Sequence, residues 1–413
     1  MDVHAHEFHL LPVAAALHGD HFATDLISSY GAALAAPRTH LVASAEAAPV
    51  SSPLVVLVAT GGSERQVLAA WRARQVLVPG EPLLLLTNAE HNSLPAALEA
   101  LARIRQDGGR GRIVMLEPGE APTSLDEAVA DLSVWHALRR ARVGLVGTPS
   151  DWLVASVPQA DGLRRRWGVS LIDVDMRAVL ERFDENIAAP IAVPVTLRAR
   201  PHSRAPHPAE VETAGRFEPV LREVICEQRL SAVAVRCFDL VTDAHTSGCV
   251  ALAALNDSDT VAGCEGDVAS TVAMLWLRLL VGRRGWMANP ARVDAATGTV
   301  ELAHCTVPFS MVEEYHLDTH FESGLGVGVV GRMEAGPVTL VRLGGGELEQ
   351  LWCVDGESIE TEPREGRCRT QVDVHIPSDA ARELLERPLG NHLVLVQGHH
   401  AERLRAWWSE MVA

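Results

Sequence analysis

The chain has 413 residues, 47% of them apolar, which is enough for two or three domains and a full core without disulfides or a structural metal. Its 53 acidic residues outnumber 36 basic ones, and the net charge of −17 argues against a nucleic-acid partner and against adsorption on anionic membranes. There is no lysine, which excludes Schiff-base aldolase chemistry, a pyridoxal phosphate aldimine, a Walker-A site and a kinase strand lysine.

The first half predicts alternating strands and helices. Strands are expected over 53–59, 82–87, 112–116, 143–147 and 168–174, and helices over 64–76, 95–105, 124–142 and 176–183. Short buried strands alternating with helices predict a doubly wound parallel sheet. The Gly pair in Thr60-Gly61-Gly62-Ser63 reads as a tight turn. Residues 188–208 carry five prolines and the cations Arg198, Arg200 and Arg204, and read as a linker with a solvated face. The rhythm resumes with a helix over 217–229 and a strand over 232–239. A helical stretch over 243–256, a strand over 260–264, a helix over 268–281 and extended segments over 285–289 and 299–305 follow. From about 307 the texture becomes Gly-rich β structure, closed by a helix from about 401. Domains are therefore expected over 1–185, 209–306 and 307–413.

No apolar run approaches the roughly 20 residues of a membrane span, since Arg278 interrupts the best candidate. The stretch 10–17 has no basic region before it, so no secretory signal is expected. The seven cysteines, all between Cys226 and Cys368, are odd in number and contain no CxxC. They read as reduced thiols of a cytoplasmic protein rather than a disulfide framework or zinc knuckle.

Ligands of open α/β sheets bind beyond the carboxyl ends of the strands. The polar residues there are Cys237 and Asp239, then Glu265 and Asp267, Asn289, and His304 with Cys305. His316, His320, Glu322, Asn391, His392, His399 and His400 come later. Carboxylate, imidazole and thiol groups together suit a divalent metal. Each has a plainer reading: the cysteines as inert buried thiols, Asp267 as a helix N-cap, His399-His400 as a solvated turn. Glu265 has no capping role, and a buried carboxylate needs a partner or a metal.

Four motifs in order resemble the L-fucose isomerase-like family, related to L-arabinose isomerase: Cys264-Glu265-Gly266-Asp267-Val268, Trp286-Met287-Ala288-Asn289-Pro290, Ala303-His304-Cys305-Thr306, and Gly390-Asn391-His392 followed by Gly398-His399. The resemblance covers roughly 236–398. It implies Rossmann-like parallel-sheet domains followed by a smaller β-rich C-terminal domain that completes the site. It also implies a homo-oligomer, a small sugar-like substrate and one divalent metal, usually Mn²⁺. The family's metal-binding Glu falls on Glu265 and its His on His392, whereas its Asp falls near Asn289, which cannot act as a base.

The activity implied is an aldose–ketose isomerisation, with proton transfer through an enediolate that a metal stabilises. Glu265, Asp239, Asp267 and His304 are the candidate catalytic residues. Glu265, Asn289, Cys305 and His392 are the candidate metal ligands, with Cys305 giving a softer site open to Zn²⁺ or Fe²⁺. Two alternatives stand beside this reading. One is another metal-assisted step, such as epimerisation, elimination or a thiol-dependent reaction. The other is sugar binding without chemistry.

Overall fold

The computed structural model describes residues 6–18, 22–30, 34, 38–116, 123–185 and 204–412. Contacts group the chain into two units, Met1–Ala137 with Ala406–Ala413, and Leu138–Arg405.

In the first unit, strands β1 (Phe8–Val13), β2 (Thr39–Leu41), β3 (Leu54–Val58), β4 (Leu83–Thr87) and β5 (Gly111–Met115) form one sheet. Its order is β2-β1-β3-β4-β5, and every pairing is parallel. This is one of the two common doubly wound orders. β3 and β4, LVVLV and LLLLT, are buried along their whole length. A parallel strand covered on both faces has no polar side to present, hence the unbroken apolar run. The helices Glu64–Leu77 and Ser93–Gln106 set Val67, Ala97 and Ile104 against this core.

In the second unit, β6 (Arg142–Val146), β7 (Ser170–Val174), β8 (Ala232–Val235) and β9 (Val261–Gly263) form a parallel sheet in the order β7-β6-β8-β9. Sequence reading assigns β6 and β7 to the 1–185 segment, but here β6 pairs with β8, and β7 joins the same sheet through β6. A short buried strand records that both its faces are covered and carries no mark of which sheet it joins. Most of the 188–208 linker, with Arg198 and Arg200, lies outside the described residues. Arg204 is described, and it pairs with Glu210.

The remaining strands are β10 (Gly285–Asp294), β11 (Thr299–His304), β12 (Glu314–Asp318), β13 (Gly328–Arg332), β14 (Gly336–Gly344), β15 (Gln350–Ile359), β16 (Thr370–His375) and β17 (Leu393–Gln397). Six of them close a barrel in the order β10-β11-β16-β15-β14-β17, with every pairing antiparallel, while β12 and β13 make a hairpin. Closure leaves no free strand edge. Trp286, Val300, Leu302, Leu340, Leu393 and Leu395 belong to its buried core. Each such side chain contributes about 1.5–3 kcal/mol by leaving water. The β-rich C-terminal part expected from the Gly-rich texture is thus present as a barrel. It already includes β10 and β11, ahead of 307. Among the described residues, no helix is long and apolar enough to cross a membrane.

Candidate active site

The site is built where β9 ends. The chain leaves Gly263, passes Cys264 and enters two left-handed residues, Glu265 at φ 60° and Gly266 at φ 68°. Only glycine fits at 266, because a Cβ there would lie 2.8 Å from both the Pro149 Cα and the Thr148 carbonyl. Glu265 has no such excuse. A left-handed non-glycine residue costs about 1–2 kcal/mol, and strain of this kind is typical of functional positions. The turn is held because the Glu265 carbonyl accepts from the Ser150 N–H at 2.9 Å and the Gly266 N–H donates to the Val235 carbonyl at 2.9 Å.

Asp267 then caps the helix Val268–Val281, its Oδ1 accepting from the Ser270 N–H at 2.8 Å. The second carboxylate oxygen makes three further contacts. Asp267 Oδ2 meets His392 Nδ1 at 2.9 Å, Ser270 Oγ at 2.9 Å and Arg342 Nη1 at 3.3 Å. Arg342 lies on the same face of β14 as Val338 and Leu340 and is almost fully buried. It also donates to the His392 carbonyl at 3.1 Å and to Ser156 Oγ at 2.6 Å. Gly390 makes room for it, since a Cβ there would come within 2.2 Å of Arg342 Nη2.

Three donor atoms converge above this platform. His392 Nε2 lies 3.5 Å from Glu265 Oε1, and His304 Nε2 lies 3.8 Å from the same oxygen. The ligand atoms of Glu265, His304 and His392 all fall within 4.8 Å of one another, and all three residues are buried. The δ nitrogens are engaged elsewhere, His392 by Asp267 and His304 by Thr306 Oγ1 at 2.9 Å. The other oxygen of Glu265 accepts from the Trp152 indole N–H at 2.6 Å. His392 Nε2 is buried without a hydrogen-bond partner. Buried polar atoms are seldom left this way. A carboxylate–imidazole pair whose outer nitrogen faces an acidic group is the arrangement used to orient a metal-binding histidine. The donor set therefore fits a divalent cation.

Electrostatics agree. Burial alone would raise the pKa of Glu265, but the imidazoles of His304 and His392 outweigh it and hold the carboxyl well below the usual range. Burial likewise opposes ionisation of Asp267, yet Arg342 and His392 bring it down to about 2. Desolvation disfavours a charged His392, but Asp267 and Glu265 prevail and raise it to about 9.

The structure brings together Glu265, His304, His392 and Asp267 of the residues expected from sequence. Asp239 is not among them: it lies half-exposed in the helix Phe238–Asp243, held by Arg236 Nε at 2.9 Å. Asn289 is half-buried on β10, paired with Ala303 across from the strand that carries His304. Cys305 groups with Cys249 and His320 rather than with Glu265. Successive residues of an extended chain face opposite ways, so His304 and Cys305 cannot both point into one pocket. His399 is a half-exposed turn residue 3.0 Å from Glu357.

Trp152, Ser156, Ser270 and Arg342 were missed from sequence. Arg342 carries a usable signal, a cation inside the apolar strand sequence VTLVRL. Trp152 carries none.

No family model matches the chain. It is similar to the sulfoquinovose isomerase of Alkalicoccus urumqiensis, 27% identical over 205 residues, 48% of this chain and 46% of that protein. The sulfoquinovose isomerases of Priestia aryabhattai and Priestia megaterium are each 24% identical over 288 residues, 66% of this chain and 63% of theirs. The matches thus span about half to under two thirds of the length of these relatives.

Proposed function

We propose that the protein is a metal-dependent aldose–ketose isomerase of a sugar or sugar-derived acid, with a sulfonated hexose as the first substrate to test. The convergence of Glu265, His304 and His392 around the unpartnered His392 Nε2 carries this reading. The names of the similar proteins supply the substrate class.

Glu265, His304 and His392 would hold the ion, with Mn²⁺ favoured by the oxygen-bearing ligand and Zn²⁺ or Fe²⁺ admitted by the two imidazoles. When bound, such an ion polarises a substrate carbonyl or hydroxyl oxygen and lowers the cost of charge developing there. The protein's own groups do the rest. Glu265 is ionised and less deeply buried than Asp267, 8% against 0% exposed, so it is the group fitted to take a proton from carbon and return it to the neighbouring carbon. Trp152 fixes its second oxygen and thereby its direction. Asp267 is fully buried with both oxygens occupied, so it positions His392 rather than touching substrate. His304 is steadied by Thr306, which keeps its ε nitrogen directed at Glu265 Oε1.

The test is direct. Purified protein stripped with EDTA and reloaded with Mn²⁺ should convert sulfoquinovose to the corresponding ketose, with exchange of solvent deuterium into the carbon beside the carbonyl. Glu265→Gln should abolish both turnover and stoichiometric Mn²⁺ binding. Full Mn²⁺ binding by that variant, or turnover that survives exhaustive chelation, would overturn the reading.

A further inference from the structure

A second cluster of ligating side chains lies in the same unit and takes no part in the site above. Cys249, Cys305 and His320 bring their ligand atoms within 4.8 Å of one another, and all three are buried. Cys249 is the first residue of the helix Cys249–Asp257. Cys305 follows β11, and His320 sits in the turn after β12. A further thiol, the half-buried Cys368, neighbours Cys305 but lies outside this 4.8 Å group.

A buried cysteine is ordinarily a small apolar filler. Two buried thiols around a buried imidazole are not explained by apolar packing, because the imidazole brings polar nitrogens into the core. One of them is already satisfied, His320 Nδ1 meeting Ser323 Oγ at 2.9 Å. That leaves Nε2, and an oxygen on the opposite nitrogen is the usual support of a metal-bound histidine. In a tetrahedral zinc site the sulfurs lie about 2.3 Å and the nitrogen about 2.0–2.1 Å from the ion, so the ligand atoms stand roughly 3.5–3.8 Å apart. Cys249, Cys305 and His320, within 4.8 Å of one another, reach this by drawing together, whereas Cys368 stands outside that radius of at least one of them and must swing further in.

The surrounding backbone is already fixed. Ser247 Oγ bonds the Val327 carbonyl at 2.6 Å and the Val327 N–H at 2.8 Å, tying the approach to Cys249 to the approach to β13. The Val329 N–H donates to the Cys305 carbonyl at 3.0 Å, tying β13 to the end of β11.

We propose that Cys249, Cys305 and His320, with Cys368 as fourth ligand, form a closed structural zinc centre, separate from the Glu265 site. Binding replaces the thiol protons, which leave to solvent, and changes no oxidation state. The ligand sets differ in hardness, three sulfurs and one nitrogen here against one oxygen and two nitrogens there, so each selects its own ion. The centre would pin the β12–β13 hairpin to the end of β11, one residue from His304. It does not depend on the isomerase reading.

The experiment uses the full chain. After EDTA has removed Mn²⁺, elemental analysis should still find zinc, and an organomercurial thiol reagent should release it. Protein refolded with Co²⁺ in place of zinc should show a thiolate-to-cobalt charge-transfer band and the intense visible bands of a tetrahedral site. Glu265→Ala should keep that spectrum, and the double variant Cys249→Ala/Cys305→Ala should lose it. Lack of a thiolate band in the cobalt-loaded wild type, or its survival in the double variant, overturns the centre. If the double variant fails to fold, the wild-type spectrum and zinc release in step with thiol modification decide the matter alone.

Discussion

Two buried charge clusters, one in each unit, contrast in how completely they are closed. In the first unit Arg74 and Glu81 form a buried ion pair. His136 Nε2 reaches Glu81 Oε1 at 2.8 Å, and Arg74 donates further to the Ala48 carbonyl at 2.9 Å and the Ser52 carbonyl at 2.7 Å. Every guanidinium nitrogen of Arg74 and both oxygens of Glu81 have partners within the protein. In the second unit Glu265, His304 and His392 are as well buried, yet one imidazole nitrogen has no partner and the glutamate sits on strained backbone. Burial of charge therefore does not distinguish a functional site from an architectural one. The two clusters differ in that the second leaves His392 Nε2 without a hydrogen-bond partner and sets Glu265 on left-handed backbone beside it.

The contrast can be broken most sharply at its two carboxylate centres. Glu265→Gln should lower kcat/KM by at least about 10²–10³-fold, measured as ketose formation. Arg74→Met should act on stability instead. It strands Glu81 and should cost about 3–5 kcal/mol in urea unfolding, with Mn²⁺ stoichiometry unchanged. A Glu265 variant that unfolds and an Arg74 variant that does not would erase the distinction.

Asp267→Asn probes the platform beneath the second cluster. It keeps the helix cap but weakens the hold on His392, so Mn²⁺ affinity should fall about 10–100-fold by calorimetry. The smallest effect is that of pH on the metal-free protein. The raised His392 pKa contributes stability that is complete below 6.5 and lost as pH rises through about 9. The depressed Asp267 pKa contributes stability that is complete above 3.8 and lost as pH falls through about 2. Thermal melts should accordingly show a plateau between those limits, and Asp267→Asn should flatten both flanks.

Parts of this were readable from the residues alone. Glu265 stood out because a carboxylate at the end of an apolar strand needs a reason to be there, and Asp267 and His392 came with their motifs. Asp239 satisfied the same strand-end rule, but rank along a strand does not show that Arg236 claims its carboxylate. Sequence order draws Cys305 to the pocket of His304, but adjacency in sequence is opposition in an extended chain. Arg342 was legible and overlooked, whereas Trp152, on a loop, gave no periodicity to read. The strands β6 and β7 were recognisable as strands, but their sheet partners are fixed by packing that no local pattern encodes.

The barrel also dictates when its pocket can exist. β17 closes the ring by pairing with both β10 and β14, and His392 immediately precedes it. A nascent chain on the ribosome, with its last strand still in the exit tunnel, would hold Glu265 and His304 but lack the third donor. On the metal-dependent reading proposed above, loading with a cation would be a late step of biogenesis, coincident with ring closure.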